Sequence, residues 1–336
     1  MGRTLPVIIG HRGASGYRPE HSRAAYELAF ELGADDVEPD VVVTRDGVLV
    51  LRHENEISGT TDVAGHPQFA SRRTSKTIDG VELTGWFTED FTWAELQTLR
   101  CVERLPGLRP ESATFDGLFG ILRLADLFAL VDEAQDALQR RLGIVAELKH
   151  AAYFARLGLP LAELFAAEVR AAGWNTGDGR LMVESFEPTV LRRVREAGVR
   201  AATVLLVEAE GAPADLVAAL GDGAPSYSSY LDERGLAGLA AEAIDGISVP
   251  KQLLLAPRHP SVVEAARASG LRVFTWTLRP ENAFLDGAYR AAGSPGEWGD
   301  WEAEFAAILA SGVDGVFADH PDLAVAARAA SVGAGA

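Results

Sequence analysis

The sequence predicts an α/β protein folded as a (β/α)8 TIM barrel, with one small insertion after the second strand and its hairpin. Three observations carry this. Short apolar runs alternate with stretches of helical spacing through most of the 336 residues. Eight such runs can be counted, and alternation at this rhythm builds parallel βαβ units that close into a barrel. Polar residues gather where the runs end, the side on which barrels carry their chemistry.

Taken in order, the runs are Val7–Gly10, Val37–Val43 extended by Val48–Leu51, Ile144–Leu148, Leu181–Glu184, Ala202–Val207, Gly246–Val249, Val273–Thr277 and Gly315–Phe317. Residues 20–32 carry Ala24, Ala25, Leu28, Ala29 and Leu32 at helical spacing, with Gly33 as a stop. Arg45-Asp46-Gly47 is a turn signal between the two β-rich pieces of the second run. Helical patterns follow near 120–133 and at 161–172, 188–197, 214–220, 260–269 and 302–311. Residues 54–119 break the rhythm. Trp86, Trp93 and scattered Phe and Leu favour a small packed lid at the catalytic face over a disordered loop. The Ala/Gly-rich tail after Ala324 is expected to fray. The whole chain, 1–336, reads as one domain.

Composition narrows the function. Hydrophobic residues make up 48% and charged residues 24%, which suits a globular chain with a sizeable core. A net charge of −17 argues against a nucleic-acid partner and against electrostatic attachment to anionic membranes. No apolar stretch is long enough to span a bilayer. The first strand begins at Pro6-Val7, leaving no room for a leader, so the chain as it stands reads as cytoplasmic, or as exported if a leader has been removed. The single cysteine, Cys101, excludes an internal disulfide and a cysteine-built zinc site. It reads as a buried or tolerated thiol. Only three lysines occur, Lys76, Lys149 and Lys251.

The strand ends hold the candidate chemistry. His11-Arg12-Gly13 closes the first run, Glu38 and Asp40 stand two apart on the second, and His53-Glu54 follows its extension. Glu147 and Lys149 repeat the two-apart pattern, Lys251 follows the sixth run, and Trp276 lies near the end of the seventh. Carboxylates in apolar strands need a cation or a proton. Either a hard divalent ion or salt bridges to Arg12 and Lys149 would satisfy Glu38, Asp40 and Glu147. His11 and His53 end adjacent strands beside these acids. Phosphodiester hydrolysis needs a base for the nucleophile and an acid for the leaving alkoxide, and imidazoles do both near neutral pH. His21, His66, His150, His259 and His320 read as surface, capping or supporting groups. Trp276 suits either stacking on a substrate or plain packing. The glycines near residue 10 do not fit a dinucleotide fingerprint, and no phosphate loop or nucleophile elbow is present.

On these residues the sequence resembles the glycerophosphodiester phosphodiesterase family, in particular its larger bacterial members with an insertion at the catalytic face. The resemblance rests on His11-Arg12-Gly13, Pro19-Glu20, Gly33-Ala34-Asp35-Asp36-Val37-Glu38-Pro39-Asp40, His53-Glu54, Glu147-Leu148-Lys149, Ser185-Phe186, Trp276-Thr277 and Gly312-Val313-Asp314-Gly315-Val316-Phe317-Ala318-Asp319, spanning roughly residues 7–323. It implies an acid–base pair of His11 and His53, metal ligands Glu38, Asp40 and Glu147 for Ca2+ or Mg2+, and phosphate-binding cations Arg12 and Lys149. It implies as substrate a small glycerophosphodiester, cleaved to sn-glycerol 3-phosphate and an alcohol. Attack by water or by the substrate's own glycerol hydroxyl fits equally. Two departures stand out: Glu54 where the family usually has Asp, and His21-Ser22 where it often has Asn-Thr. A lipid-cleaving relative and a non-catalytic binding protein are the rival readings.

Overall fold

The computed structural model describes residues 5–256 and 261–333. Along the chain the strands are β1 (Val7–His11), β2 (Asp36–Glu38), β3 (Asp40–Val43), β4 (Leu49–Leu51), β5 (Thr74–Ile78), β6 (Val81–Gly85), β7 (Gly143–Leu148), β8 (Leu181–Ser185), β9 (Ala202–Leu206), β10 (Gly246–Pro250), β11 (Arg272–Leu278) and β12 (Gly315–Ala318). Strand β1 pairs in parallel with both β2 and β12, and β7 pairs with β2, β3 and β8, so the sheet closes. With β2 and β3 as two halves of one strand, this is an eight-stranded parallel barrel with helices between strands, as expected.

The split second strand has a local cause. Pro39 has no N–H to give to the ladder, so pairing lapses between Glu38 and Asp40. The Pro39 carbonyl still accepts from Glu147 N at 2.9 Å, which keeps the seam tight. Strand β4 returns antiparallel along β3.

Packing forms two separate cores. Ile9, Val145, Met182, Val204, Phe274 and Phe317 fill the barrel interior. A larger set lies between the barrel and its helices, including Phe30, Phe128, Phe165 and Phe305. The first helix covers Arg23–Glu31 rather than starting at 20, because Ser22 is its cap and accepts from Ala25 N at 3.2 Å. The helix read at 260–269 is described as Val262–Ala268; His259 and residue 260 lie outside the described residues.

The tail does not fray at Ala324. A helix runs from Pro321 to Gly333, Ala324 is buried, and Arg328 Nη1 donates to the Pro6 carbonyl at 2.9 Å and pairs with Asp35. Anchoring to the first strand outweighs the weak signal of the composition. Among the described residues, no helix is long and apolar enough to cross a membrane.

Between β4 and the helix Leu124–Leu138 the chain leaves the barrel, and its Ile57, Val63, Phe69, Phe87, Phe91 and Leu96 extend the core that lies between the barrel and its helices. Arg52 is fully buried at its base. It donates to the carbonyls of Leu51, Thr60 and Glu20 and to Cys101 Sγ, which makes Cys101 a buried packing thiol. The hairpin β5–β6 turns at Asp79-Gly80, both in the left-handed region, a pairing that matches strand twist in a two-residue turn.

Candidate active site

Strand period places the site. Side chains two apart share a face, so each residue two beyond the interior plug also faces inward, one step nearer the C-terminal rim. From Ile9, Val145, Met182, Val204, Phe274 and Phe317 this step leads to His11, Glu147, Glu184, Leu206, Trp276 and Asp319. All but Asp319 line one cavity of about 950 Å3 at that rim. Arg12, Glu38, His53, Glu54 and Lys149 line it too.

The turn after β1 shows how tightly the backbone is drawn in. Arg12 and Gly13 both take positive φ, and a Cβ on Gly13 would lie 2.5 Å from the Ala25 carbonyl carbon. Only glycine lets this turn close on the first helix. The Arg12 N–H then donates to Glu38 Oε2 at 2.9 Å. The Arg12 guanidinium is gripped by Glu20 at 3.0 Å and Asp40 at 3.1 Å.

Each imidazole rests on a carboxylate. His11 Nδ1 lies 2.6 Å from Asp319 Oδ1, and His53 Nδ1 lies 3.3 Å from Glu54 Oε1. This leaves Nε2 of each ring for proton transfer. Burial, followed by Arg12, lowers the His11 pKa to about 4 against the pull of Asp319. Burial, then Arg12 and Lys149, also holds His53 well below the usual imidazole range. Both surroundings favour the neutral ring. Glu54 carries a second contact, to His150 Nε2 at 2.7 Å, and His150 Nδ1 reaches Asp79 at the hairpin turn at 2.6 Å.

The acids sort into two groups. Glu38, Glu147 and Glu184 each bring an oxygen within 4.8 Å of the others. Burial raises all three, Glu147 to about 8 even though Lys149 Nζ lies 3.1 Å from it. Asp40, level with Glu147 in the β3–β7 register, lies on the cations that the salt-bridged alternative named. Its Oδ2 takes a hydrogen bond from His21 Nε2 at 2.9 Å and faces Arg12, while Lys149 stands 3.8 Å from Oδ1. Against its burial, Lys149, Arg12 and His21 hold Asp40 well below the ordinary carboxylate range. The structure thus brings Glu38 and Glu147 together with Glu184, with Asp40 beside them on its cationic partners.

Among the described residues, Glu38 Oε1, Asp40 Oδ1 and Glu184 Oε2 are buried without a hydrogen-bond partner. Orphaned carboxylate oxygens are costly in a dry interior, and a hard divalent cation takes such a set. The residues present fit a metal site.

Four residues placed in or beside the site escaped the sequence reading. Glu184 obeys the rule that singled out Glu147: a carboxylate in an apolar strand, here level with Glu147 in the β7–β8 register. Asp319 stood in a motif region without a role. Arg279 and Arg109 come from irregular segments, and both bond Asp319 Oδ2, at 2.7 and 2.6 Å. Lys251 lines the cavity but is closely paired with buried Glu304. Trp276 reaches the cavity and meets Phe186 edge-on at 5.9 Å between ring centres.

What the rim presents is one cavity lined by imidazoles, cations and carboxylates at the C-terminal end of a (β/α)8 barrel. The chain belongs to the glycerophosphoryl diester phosphodiesterase family, whose model matches residues 11–323. It is similar to "Probable glycerophosphodiester phosphodiesterase 1" of Mycobacterium tuberculosis, 30% identical over 277 residues that cover 81% of this chain and 82% of the relative. Against glycerophosphodiester phosphodiesterase GDPD6 of Arabidopsis thaliana it is 37% identical over 145 residues, 43% of this chain and 37% of that protein. The chain spans under two fifths of that plant protein's length. In fold it resembles an Oleispira antarctica phosphodiesterase crystallised with the product sn-glycerol-3-phosphate, at TM-score 0.64, 19% identity and 96% coverage of both chains.

Proposed function

We propose that the protein hydrolyses small glycerophosphodiesters to sn-glycerol 3-phosphate and an alcohol. The observation that carries this is the convergence, in one cavity, of two carboxylate-held imidazoles, two buried cations and a set of carboxylate oxygens lacking donors. The product-bound Oleispira antarctica barrel supports the substrate class.

In this reading the phosphodiester lies between Arg12 and Lys149, whose charges offset its own. Its negative charge raises the two imidazole pKa values that those cations depress, so one ring can carry a proton in the complex. One imidazole takes the proton from the attacking oxygen as that oxygen bonds to phosphorus. The other gives its proton to the departing alkoxide as the phosphorus–oxygen bond breaks. Glu38, Glu147 and Glu184, with Asp40 Oδ1, would hold Ca2+ or Mg2+. When bound, such an ion supplies Lewis-acid charge for the phosphoryl oxygens. Trp276 and Phe186 give the carbon skeleton an apolar wall.

The test is release of glycerol 3-phosphate from EDTA-stripped protein offered glycerophosphocholine, glycerophosphoethanolamine and glycerophosphoglycerol, with Ca2+ or Mg2+ restored. Metal-restored release supports the reading and ranks the alcohols. Release equally fast in EDTA removes the metal from it, and no release from any diester under any condition overturns it.

A further inference from the structure

One side chain of the insertion reaches the chemistry without entering the cavity. Arg109 begins the short helical turn Pro110–Ala113, far in sequence from the strands it touches. Its side chain is 5% exposed, and each nitrogen has a partner. Nε donates to Glu281 Oε1 at 2.7 Å, Nη1 to the Ser15 carbonyl at 3.1 Å, and Nη2 to Asp319 Oδ2 at 2.6 Å. The other oxygen of that Asp319 carboxylate is the one on His11 Nδ1. Ser15, in turn, donates its hydroxyl to the His11 carbonyl at 2.8 Å.

The geometry points to Arg109 as a positioning residue for His11, supplied by the insertion and acting through Asp319. A guanidinium suits this place for a physical reason. Its planar fork fixes two carboxylates and a carbonyl in one arrangement, where an ammonium would act as a point charge. The three groups it joins come from different parts of the barrel: the loop after β1, the loop after β11 and the end of β12. Arg279 also bonds Asp319, but from the cavity side, where it is open to ligand. Arg109 is the partner that no ligand can draw away. Without it, Asp319 can turn toward Arg279, and the ring loses the acceptor that keeps its proton on Nδ1 and its Nε2 lone pair toward the substrate.

This inference rests on the reading of His11 as a proton-transfer group, and the experiment separates the two. Glycerophosphodiester turnover and thermal melting are measured for the full chain and for Arg109→Ala, Arg109→Lys, Asp319→Asn, His11→Ala and the Arg109→Ala/Asp319→Asn double variant. Arg109→Ala is expected to lower kcat by ~10²-fold, with KM changed less than ~3-fold, since a positioning error falls mainly on the reacting geometry. Guanidinium ion added to Arg109→Ala should restore part of kcat. Arg109→Lys keeps the charge and the fold but not the fork, so it should retain the melting temperature and still lose ~10-fold in kcat. In the Asp319→Asn background, Arg109→Ala should cost less than ~3-fold more, because the two act as one unit. Nitrogen-15 spectra of the histidine rings should show the Nδ1–H form of His11 in the parent and a mixture in Arg109→Ala.

The inference is overturned if folded Arg109→Ala and Arg109→Lys both turn over within ~2-fold of the parent, or if their loss adds fully to that of Asp319→Asn. A loss confined to KM also overturns it. Should Arg109→Ala fail to fold, Arg109→Lys alone decides. If His11→Ala turns over normally, the proton-transfer reading itself fails; if His11→Ala is inactive while the Arg109 variants are not, only this inference does.

Discussion

The barrel interior has two layers that differ by a single strand period. The lower one, Ile9, Val145, Met182, Val204, Phe274 and Phe317, is apolar and dry. The layer above it, on the same strands, includes His11, Glu147, Glu184, Trp276 and Asp319. The lower layer is buried and packed on itself, while the upper one borders the cavity, so one serves stability and the other faces the chemistry. The lesson is that the plug conditions the site. Because only apolar side chains lie beneath them, the carboxylates find partners on the cavity side or beside them, and Glu38 Oε1, Asp40 Oδ1 and Glu184 Oε2 have no donor among the described residues.

Substitutions in the two layers should separate cleanly. The largest effect on turnover is expected from His11→Ala or His53→Ala: kcat down by ~10²–10⁴ with little change in melting temperature. Near-normal turnover by a folded variant would remove that residue from the mechanism. In the lower layer, Phe274→Ala should cost ~3–5 kcal/mol in urea unfolding while the molecules that remain folded stay active. If it abolished turnover at full stability, the division between layers would be lost. Glu184→Gln should weaken Ca2+ or Mg2+ binding by ~10–100-fold by titration calorimetry, and an unchanged affinity would place the ion elsewhere.

The smallest effect concerns the lid. Burial pushes the His150 imidazolium down, but hydrogen bonds to Asp79 and Glu54 win and raise its pKa from 6.5 to about 9. A raised histidine pKa means the folded state binds the proton more tightly than the unfolded one. Its contribution is fully present below pH 6.5 and is lost as pH rises through about 9. With Glu54 about one third exposed, this should amount to ~1–2 kcal/mol. His150→Asn should therefore flatten the fall in stability between pH 6.5 and 9. An unchanged profile would show that the hairpin is held by its apolar contacts instead.

The barrel was legible because its signals are local and repeated: β-rich runs, helical spacing, and glycines at the stops. Carboxylates interrupting such runs made Glu38, Asp40 and Glu147 visible, and the same logic would have reached Glu184 had the end of that run been read as inward-facing. Asp79-Gly80 between Ile78 and Val81 is a hairpin signal of the same local kind, hidden by reading 54–119 as one stretch without a period. Arg109 and Glu281 are of another kind. They meet across 172 residues from irregular segments, and nothing in either neighbourhood announces the other. Pattern finds the residues that a strand presents, while partners brought in by loops require the fold.

The bond between His11 and Asp319 joins positions 308 residues apart, across the seam where the last strand meets the first. During synthesis the histidine emerges 308 residues ahead of its carboxylate. A chain interrupted anywhere before residue 319 can form strands and bury apolar surface, yet its ring has no Asp319 to hold it. The contact is thereby tied to closure of the barrel: it can form only once β12 has been made and the seam with β1 has shut.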